Sequence, residues 1–388
     1  VRIVVTGLIA TYPVGGVAWD YVQYVHGFAA LGHDVTYLED TGQWVYSPAQ
    51  QTFTAEYADN LAHLRRVLRR DDGGAHPFAF RDPSGALHGM SEEELRRHCR
   101  EADLFLNVSG CCWLRDEYRG RGVAAYIDTD PCYSQAKLAA ADAGTADEHV
   151  AYSAAMIRRH DAFFSFAESI GAPACAIPTA GIAWHPTRHP IVLSDWPAAP
   201  PPADGPFSTV MSWKIDVTSP VVGGRVYGGK DVEFPLIRDL PGRTAVPLEV
   251  AVAGAAPRED LQFAGWRVID ARDVSATPRA YQEYLAASRG ELSVAKEAYV
   301  ATGSGWFSTR SASYLATGRP VVVQDTGLGA HVPVGDAILT FRDRDGARVA
   351  LEEAQHDHAR RCRTAREIAA TTFDSGRILR RLLTDAGL

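Results

Sequence analysis

Apolar residues fall along this chain in two rhythms. Short unbroken runs bounded by glycine, proline or charge read as buried strands. Stretches in which apolar residues recur every three or four positions read as helices. The opening segment holds both. Residues 1–6, Val-Arg-Ile-Val-Val-Thr, predict a strand. A loop with Pro13, Gly15 and Gly16 follows, and then Val17, Tyr21, Tyr24, Val25, Phe28 and Leu31 mark one face of a helix over 17–31. Gly32 supplies the C-cap and residues 33–38 a second strand. Strand, glycine loop, helix and strand in this order predict a parallel sheet with right-handed crossovers.

The alternation continues, with helices predicted over 60–69, 91–100 and 148–160 and strands over 104–108, 123–127, 162–166 and 175–177. Ser91 and Glu94 form a capping-box pair. Residues 189–206 then carry Pro190, Pro197, Pro200, Pro201, Pro202 and Pro206, a density that stiffens the chain and reads as a linker. Beyond it the pattern restarts, with strands over 208–213, 248–252, 267–269, 291–295, 320–323 and 338–341 and helices over 278–288 and 308–316. The stretch 347–383 is mostly helical, with a break near 371–375. Two α/β halves joined by a hinge leave a cleft between them, and ligands of such folds sit beyond the C-terminal ends of parallel strands.

Composition narrows the class. The chain has 388 residues, 39 basic and 47 acidic, for a formal net charge of −8. Hydrophobic residues at 46% and charged residues at 22% exclude disorder. The acidic balance argues against a nucleic-acid partner. No uncharged apolar run approaches the roughly 20 residues of a membrane span, and the opening has no leader pattern, so a cytoplasmic protein without an integral membrane segment is expected. The six cysteines form no CxxC pair, so they are expected as reduced thiols rather than disulfides, and no metal site is expected.

In their order these segments resemble the GT-B glycosyltransferases of the family 1 and family 4 type, over nearly the whole chain. The Gly15-Gly16 loop, its helix and Leu31-Gly-His-Asp-Val-Thr-Tyr37 are similar to the opening of an acceptor-binding domain. Ile177-Pro-Thr-Ala-Gly-Ile182 is similar to the end of that domain. Ser313-Tyr-Leu-Ala-Thr-Gly-Arg-Pro-Val-Val322, followed by Asp325-Thr-Gly327, resembles the donor-binding segment. The resemblance implies an α/β fold of two Rossmann-like domains whose parallel sheets face each other across a cleft. It divides the chain into an acceptor-binding domain (1–190), the proline-rich linker (191–206), a nucleotide-sugar domain (207–370) and a final helix crossing back to the first domain (371–388). Two departures stand out. The Glu-x7-Glu pair of family 4 is replaced by Gly305 and Ser313, and the Gly-His loop of family 1 is missing, so neither family's stereochemical outcome carries over.

A nucleotide-sugar donor presents a diphosphate, which backbone N–H groups at a helix N-terminus bind with help from the helix dipole. Gly303, Ser304, Gly305, Trp306, Phe307 and Ser308 fit that need ahead of the 308–316 helix, with Ser308 as N-cap. Arg310 sits in the first turn, where a cation opposes the dipole, and so suggests an anion partner. Lys214 and Lys230 follow the first strand of the second half, near places where the resembled family neutralises the leaving diphosphate; Lys296 ends a later strand on the cleft edge. Asp325 and Thr326 lie where the family holds ribose or sugar hydroxyls. An acceptor proton needs a base, and Asp128 and Asp130, at the end of the 123–127 strand, are candidates, with His26 a further one. Asp20, read as lying in the first turn of the loop helix, is weighed as a base as well, with service to the helix dipole as the favoured alternative. Gly15, Gly16, Tyr12 and Trp19 are expected to meet the acceptor, together with Tyr21 and Tyr24. Asp128-Thr-Asp130 has the form of a metal-binding triplet but falls in the acceptor half, where no metal is expected.

The expected function is metal-independent transfer of a hexosyl or deoxyhexosyl group from a UDP-, dTDP- or GDP-sugar to a small-molecule acceptor, in bacterial natural-product biosynthesis. No tightly bound cofactor is expected, and the protein is expected as a monomer or homodimer. The alternatives are a sugar-nucleotide epimerase of the same fold and a non-catalytic nucleotide-sugar binding protein.

Overall fold

Short apolar runs that are buried on both faces form the middle of each sheet. The computed structural model describes residues 1–70, 73–198, 200–214 and 218–388. Its strands are β1 (Arg2–Thr6), β2 (Asp34–Glu39), β3 (Val45–Ser47), β4 (Thr52–Thr54), β5 (Phe78–Arg81), β6 (Leu87–His88), β7 (Leu104–Val108), β8 (Val123–Asp128), β9 (Ala162–Ser165) and β10 (Trp184–Pro186) in the first half. The second half holds β11 (Phe207–Ser212), β12 (Val221–Val222), β13 (Arg225–Val226), β14 (Leu248–Ala253), β15 (Arg267–Asp270), β16 (Gly290–Ser293), β17 (Val321–Gln324) and β18 (Ile338–Phe341). The helices are α1 (Gly15–Ala30), α2 (Ala58–Val67), α3 (Glu92–Glu101), α4 (Tyr133–Asp142), α5 (Glu148–Arg158), α6 (Lys230–Glu233), α7 (Arg258–Phe263), α8 (Ala271–Ser275), α9 (Pro278–Ala287), α10 (Glu297–Ala301), α11 (Thr309–Ala316), α12 (Arg344–Gln355), α13 (His358–Thr372) and α14 (Ser375–Asp385).

The first sheet has eight strands in the order β10-β9-β8-β7-β1-β2-β5-β6, and the second has six in the order β15-β14-β11-β16-β17-β18. All pairings are parallel except β5 with β6 at one edge. Every residue of β7 is buried, including Asn107, whose amide is satisfied by Cys112, Thr6 and His160. Gly32 adopts φ +82° just past α1, and the bonds from Gly32 to Ala29 and from His33 to Phe28 close the helix as a Schellman motif. Ser91 and Glu94 cap α3 reciprocally.

One expectation is corrected and two features are added. Residues 175–177 form no strand: Ala176 N–H instead donates across the molecule to the Thr302 carbonyl, and the edge strand is β10. Helix α4 was not legible in the hydrophobic pattern. The first part of the proline-rich stretch is packed against the rest of the chain, since Ile191, Val192 and Trp196 are buried and Ile191 bridges to Asp374 beside the α13–α14 break.

The two sheets are joined through one apolar cluster that runs from α1 through Trp196 to α9, α11, α13 and α14. The Trp19 and Trp196 rings lie 4.7 Å apart, and the Trp19 indole N–H donates to Pro278 O at 3.0 Å. Helix α14 packs on α1, with Leu379 and Ser375 against Gly27. These contacts bring the C-terminal edges of the two sheets face to face.

Candidate functional site

The loops after β1 and β8 in the first half meet those after β11, β16 and β17 in the second. Asp20 lies more than one turn into α1, so it is too far along to serve the helix N-terminus. It faces the second half. Burial pushes its carboxyl up to about 7 and the Asp130 charge adds to this, against a hydrogen bond from Thr309 and the charges of Arg310 and Lys230. Those five residues outline the centre of the cleft.

Lys230 opens α6 and stands half-buried. Burial, then the charges of Arg310 and Lys296, push its ammonium well below its ordinary range, while Glu291 and Asp130 pull the other way. Among the described residues it has no hydrogen-bond or ion-pair partner. An unpaired ammonium beside two other cations is a site waiting for an anion. Lys296 sits at the same edge, but its Nζ reaches Asp130 Oδ1 at 2.5 Å and lies over the Tyr133 and Tyr299 rings. Burial works against ionised Asp130, yet the Lys296 charge and hydrogen bonds from Lys296 and the Tyr299 hydroxyl hold it below the usual carboxylate range. Lys214 is exposed at the rim.

Helix α11 begins beside a narrow pocket lined by Ser293, Ala295, Ser308, Ser311, Gln324 and Thr326. Ser308 is the N-cap residue but makes no side-chain capping bond. Ser311 is fully buried, and among the described residues its hydroxyl has no partner. The first turn of α11 therefore offers N–H groups and an unsatisfied hydroxyl to one small volume, an arrangement suited to a phosphate oxygen. A wider concavity lies at the N-terminal ends of β1 and β2, far from this edge, and several of its polar groups are engaged with each other or with Asp103: Thr36 with His98, Arg2 with Glu101 and Asp103.

Several sequence-derived candidates take other roles. Asp128 is buried and accepts from Ser134, Gln135 and Ser165; burial lifts it to about 6, but its oxygens serve to tie β8 to α4 and β9. His26 is engaged by Asp195 at 2.6 Å. Arg310 has its anion already: Glu291 Oε1 lies 2.6 Å from Nε, and Nη1 donates to Val210 O.

The glycines answer protein rather than phosphate. A Cβ at Gly305 would stand 2.6 Å from Ser169 Oγ, and one at Gly303 2.9 Å from Ala174 O, so this loop is shaped to receive the first half. Gly15 and Gly16 likewise admit Thr277 and Tyr281 of the second half, not an acceptor. Ser304 is buried on Tyr299 O, the Trp306 ring lies tilted against Tyr299 at 4.5 Å, and Phe307 packs on Phe373. Asp325 pairs with Arg342, and Thr326 donates to Trp306 O. Trp19, Tyr21 and Tyr24 are core residues; Tyr12 alone of the aromatic acceptor candidates is half-open, in a ring cluster with Tyr46 and Phe53. Sequence reasoning left Asp20 and Ser311 out of the site. The facing of Asp20 depends on the other half, and Ser311 carries no local signal beyond its place in a helix.

No family model and no curated protein matches the chain. Solved structures do. An alpha-glucosyltransferase in complex with UDP matches at 10% identity over 100% of both chains, with a TM-score of 0.59. HepE from Anabaena, also in complex with UDP, matches at 13% identity over 100% of both, with a TM-score of 0.55. AviGT4, a glycosyltransferase involved in avilamycin A biosynthesis, matches at 13% identity over 99% of this chain and 96% of its own, with a TM-score of 0.50. The chain has the GT-B fold of these proteins.

Proposed function

We propose that the protein transfers a glycosyl group from a nucleoside-diphosphate sugar to a hydroxyl of a small acceptor, with Asp20 as base and Lys230 as the cation facing the diphosphate. The observation that carries this is the opposition of Asp20, a carboxyl held near 7, to the unpaired Lys230 and the open start of α11 across one cleft. The UDP carried by two of the similar structures supports a nucleoside-diphosphate donor.

In the step we propose, the acceptor oxygen forms a bond to the anomeric carbon while the bond from that carbon to the diphosphate oxygen breaks. The electron pair leaves with the diphosphate, whose charge Lys230 and the α11 N–H groups offset. The acceptor proton passes to Asp20. Asp130 and Lys296 close the site from either side. The donor nucleotide among UDP, dTDP and GDP, a hexosyl or deoxyhexosyl cargo, operation without a metal, a place in natural-product biosynthesis, a cytoplasmic setting and the division at 1–190, 191–206, 207–370 and 371–388 remain part of this reading.

Thermal melts with UDP, dTDP, GDP and ADP test it. A nucleotide at about 100 times its dissociation constant raises stability by roughly 2.7 kcal/mol, a shift of a few degrees. A shift with one diphosphate that disappears in Lys230→Met supports the reading. No shift with any of them in a well-folded sample sinks it.

A further inference from the structure

Five large aromatic side chains are exposed among the described residues, and four of them, Trp44, Phe53, Trp113 and Tyr152, belong to the first half. Trp113 follows β7, packs over the backbone of Gly42 and meets the Tyr152 ring at 6.4 Å. Trp44 and Tyr46 are two residues apart in extended chain entering β3, so they share a face. Tyr46 continues into a cluster with Phe53 at 5.7 Å and Tyr12 at 6.3 Å. The hairpin is tied to the first loop by Tyr46 N–H on Thr11 O, and Glu39 holds that loop through Ala10 and Thr11. The wall ends at the cleft, because Tyr46 lies within reach of the Arg272 charge on α8 of the second half.

Resting on the transferase reading, we infer that this wall holds the acceptor and that the acceptor is a flat, largely apolar hydroxylated molecule rather than a sugar chain. The polar groups beside the rings favour this choice. A site for sugar presents free carboxylates and amides to many hydroxyls. Here Asp40 is consumed by Arg81, Arg115 and the Tyr118 hydroxyl, and Ser109 by Tyr21 and Thr129. What the wall leaves open is chiefly ring surface, beside the exposed amide of Gln43, and ring surface gains from a flat apolar partner and asks for few hydrogen bonds. The acceptor hydroxyl then projects past Tyr12 toward α1 and Asp20.

Saturation-transfer NMR and calorimetry with 2-naphthol and maltotriose as probes, each with and without UDP, test the inference. The expected result is 2-naphthol binding that weakens about fivefold or more in Trp113→Ala and in Phe53→Ala, with the melting temperature and UDP affinity unchanged. Both side chains are about half exposed, so their removal leaves the core intact. Binding of maltotriose in place of 2-naphthol, or 2-naphthol binding indifferent to both variants, overturns the acceptor assignment. Ring-dependent 2-naphthol binding in a protein that takes no nucleotide overturns the transferase reading instead and leaves the wall as a hydroxyarene site.

Discussion

At the scale of single residues the cleft is defined by two groups that resist their ordinary charge. A base with a pKa near the working pH combines a useful ionised fraction with enough proton affinity. With Asp20 at about 7, kcat/KM is expected to rise about tenfold per pH unit below that value and to level off above it. Asp20→Asn should abolish that limb and lower kcat by roughly 10²–10⁴-fold, measured by steady-state kinetics across pH. Stability moves the other way. Because the folded pKa lies above the ordinary 3.8, the folded state holds the proton more tightly than the unfolded one, and stability falls as pH rises from about 4 to about 7. Asp20→Asn is therefore expected to raise the melting temperature at pH 8 and leave it unchanged at pH 4. Lys230 follows the same logic with opposite charge: burial disfavours its ammonium until an anion arrives. Lys230→Met should weaken nucleoside-diphosphate binding by roughly 30-fold or more by calorimetry, without lowering the melting temperature of the free protein.

At the scale of elements, the strand–helix–strand opening was legible because an apolar run sits in each strand and the apolar residues of its helix recur at helical spacing between a glycine loop and the Gly32 cap. Helix α4 was not. It buries Ser134 and Gln135, the residues that hold Asp128, so its inward face is partly polar and shows no helical hydrophobic rhythm. The apolar run 175–177 misled for the converse reason: its apolar side chains pack on the second half while its backbone bonds there. Glycines separate two further causes that look alike in sequence. At Gly32 a Cβ would meet nothing within 4 Å, and only the φ of +82° asks for glycine. At Gly15 the conformation is helical, and a Cβ would stand 2.3 Å from Thr277 O at the start of α9. Gly32→Ala is expected to cost about 1 kcal/mol of stability and no activity. Gly15→Ala should cost about 1–3 kcal/mol through overpacking and also lower kcat, because it pushes α1, with Asp20, off the second half. Parallel melts and kinetics on the two variants distinguish these outcomes.

At the scale of the whole molecule the site exists only where the halves meet. The environment of Asp20 comes from Thr309, Arg310 and Lys230, all distant in sequence, which is why its local helical position favoured a dipole partner over a base. The same holds for Asp130, whose meaning comes from Lys296 and Tyr299 across the cleft. That pair latches the closed arrangement beside the apolar Trp19–Trp196 contact. The Asp130 side chain is 59% exposed, so solvent screens the pair and its worth is that of a surface ion pair, about 0–1 kcal/mol. One kcal/mol is about fivefold in an open–closed equilibrium, enough to tune closure without preventing donor entry. Asp130→Asn is thus expected to raise the open population by up to about fivefold in the free protein, seen as a larger radius of gyration in solution scattering. Because Asp130 is held below the usual carboxylate range, wild type should show the same opening only when acidified below that range. If scattering from Asp130→Asn matches wild type at neutral pH, the halves are held by apolar packing alone, and Trp19→Ala becomes the variant that opens them.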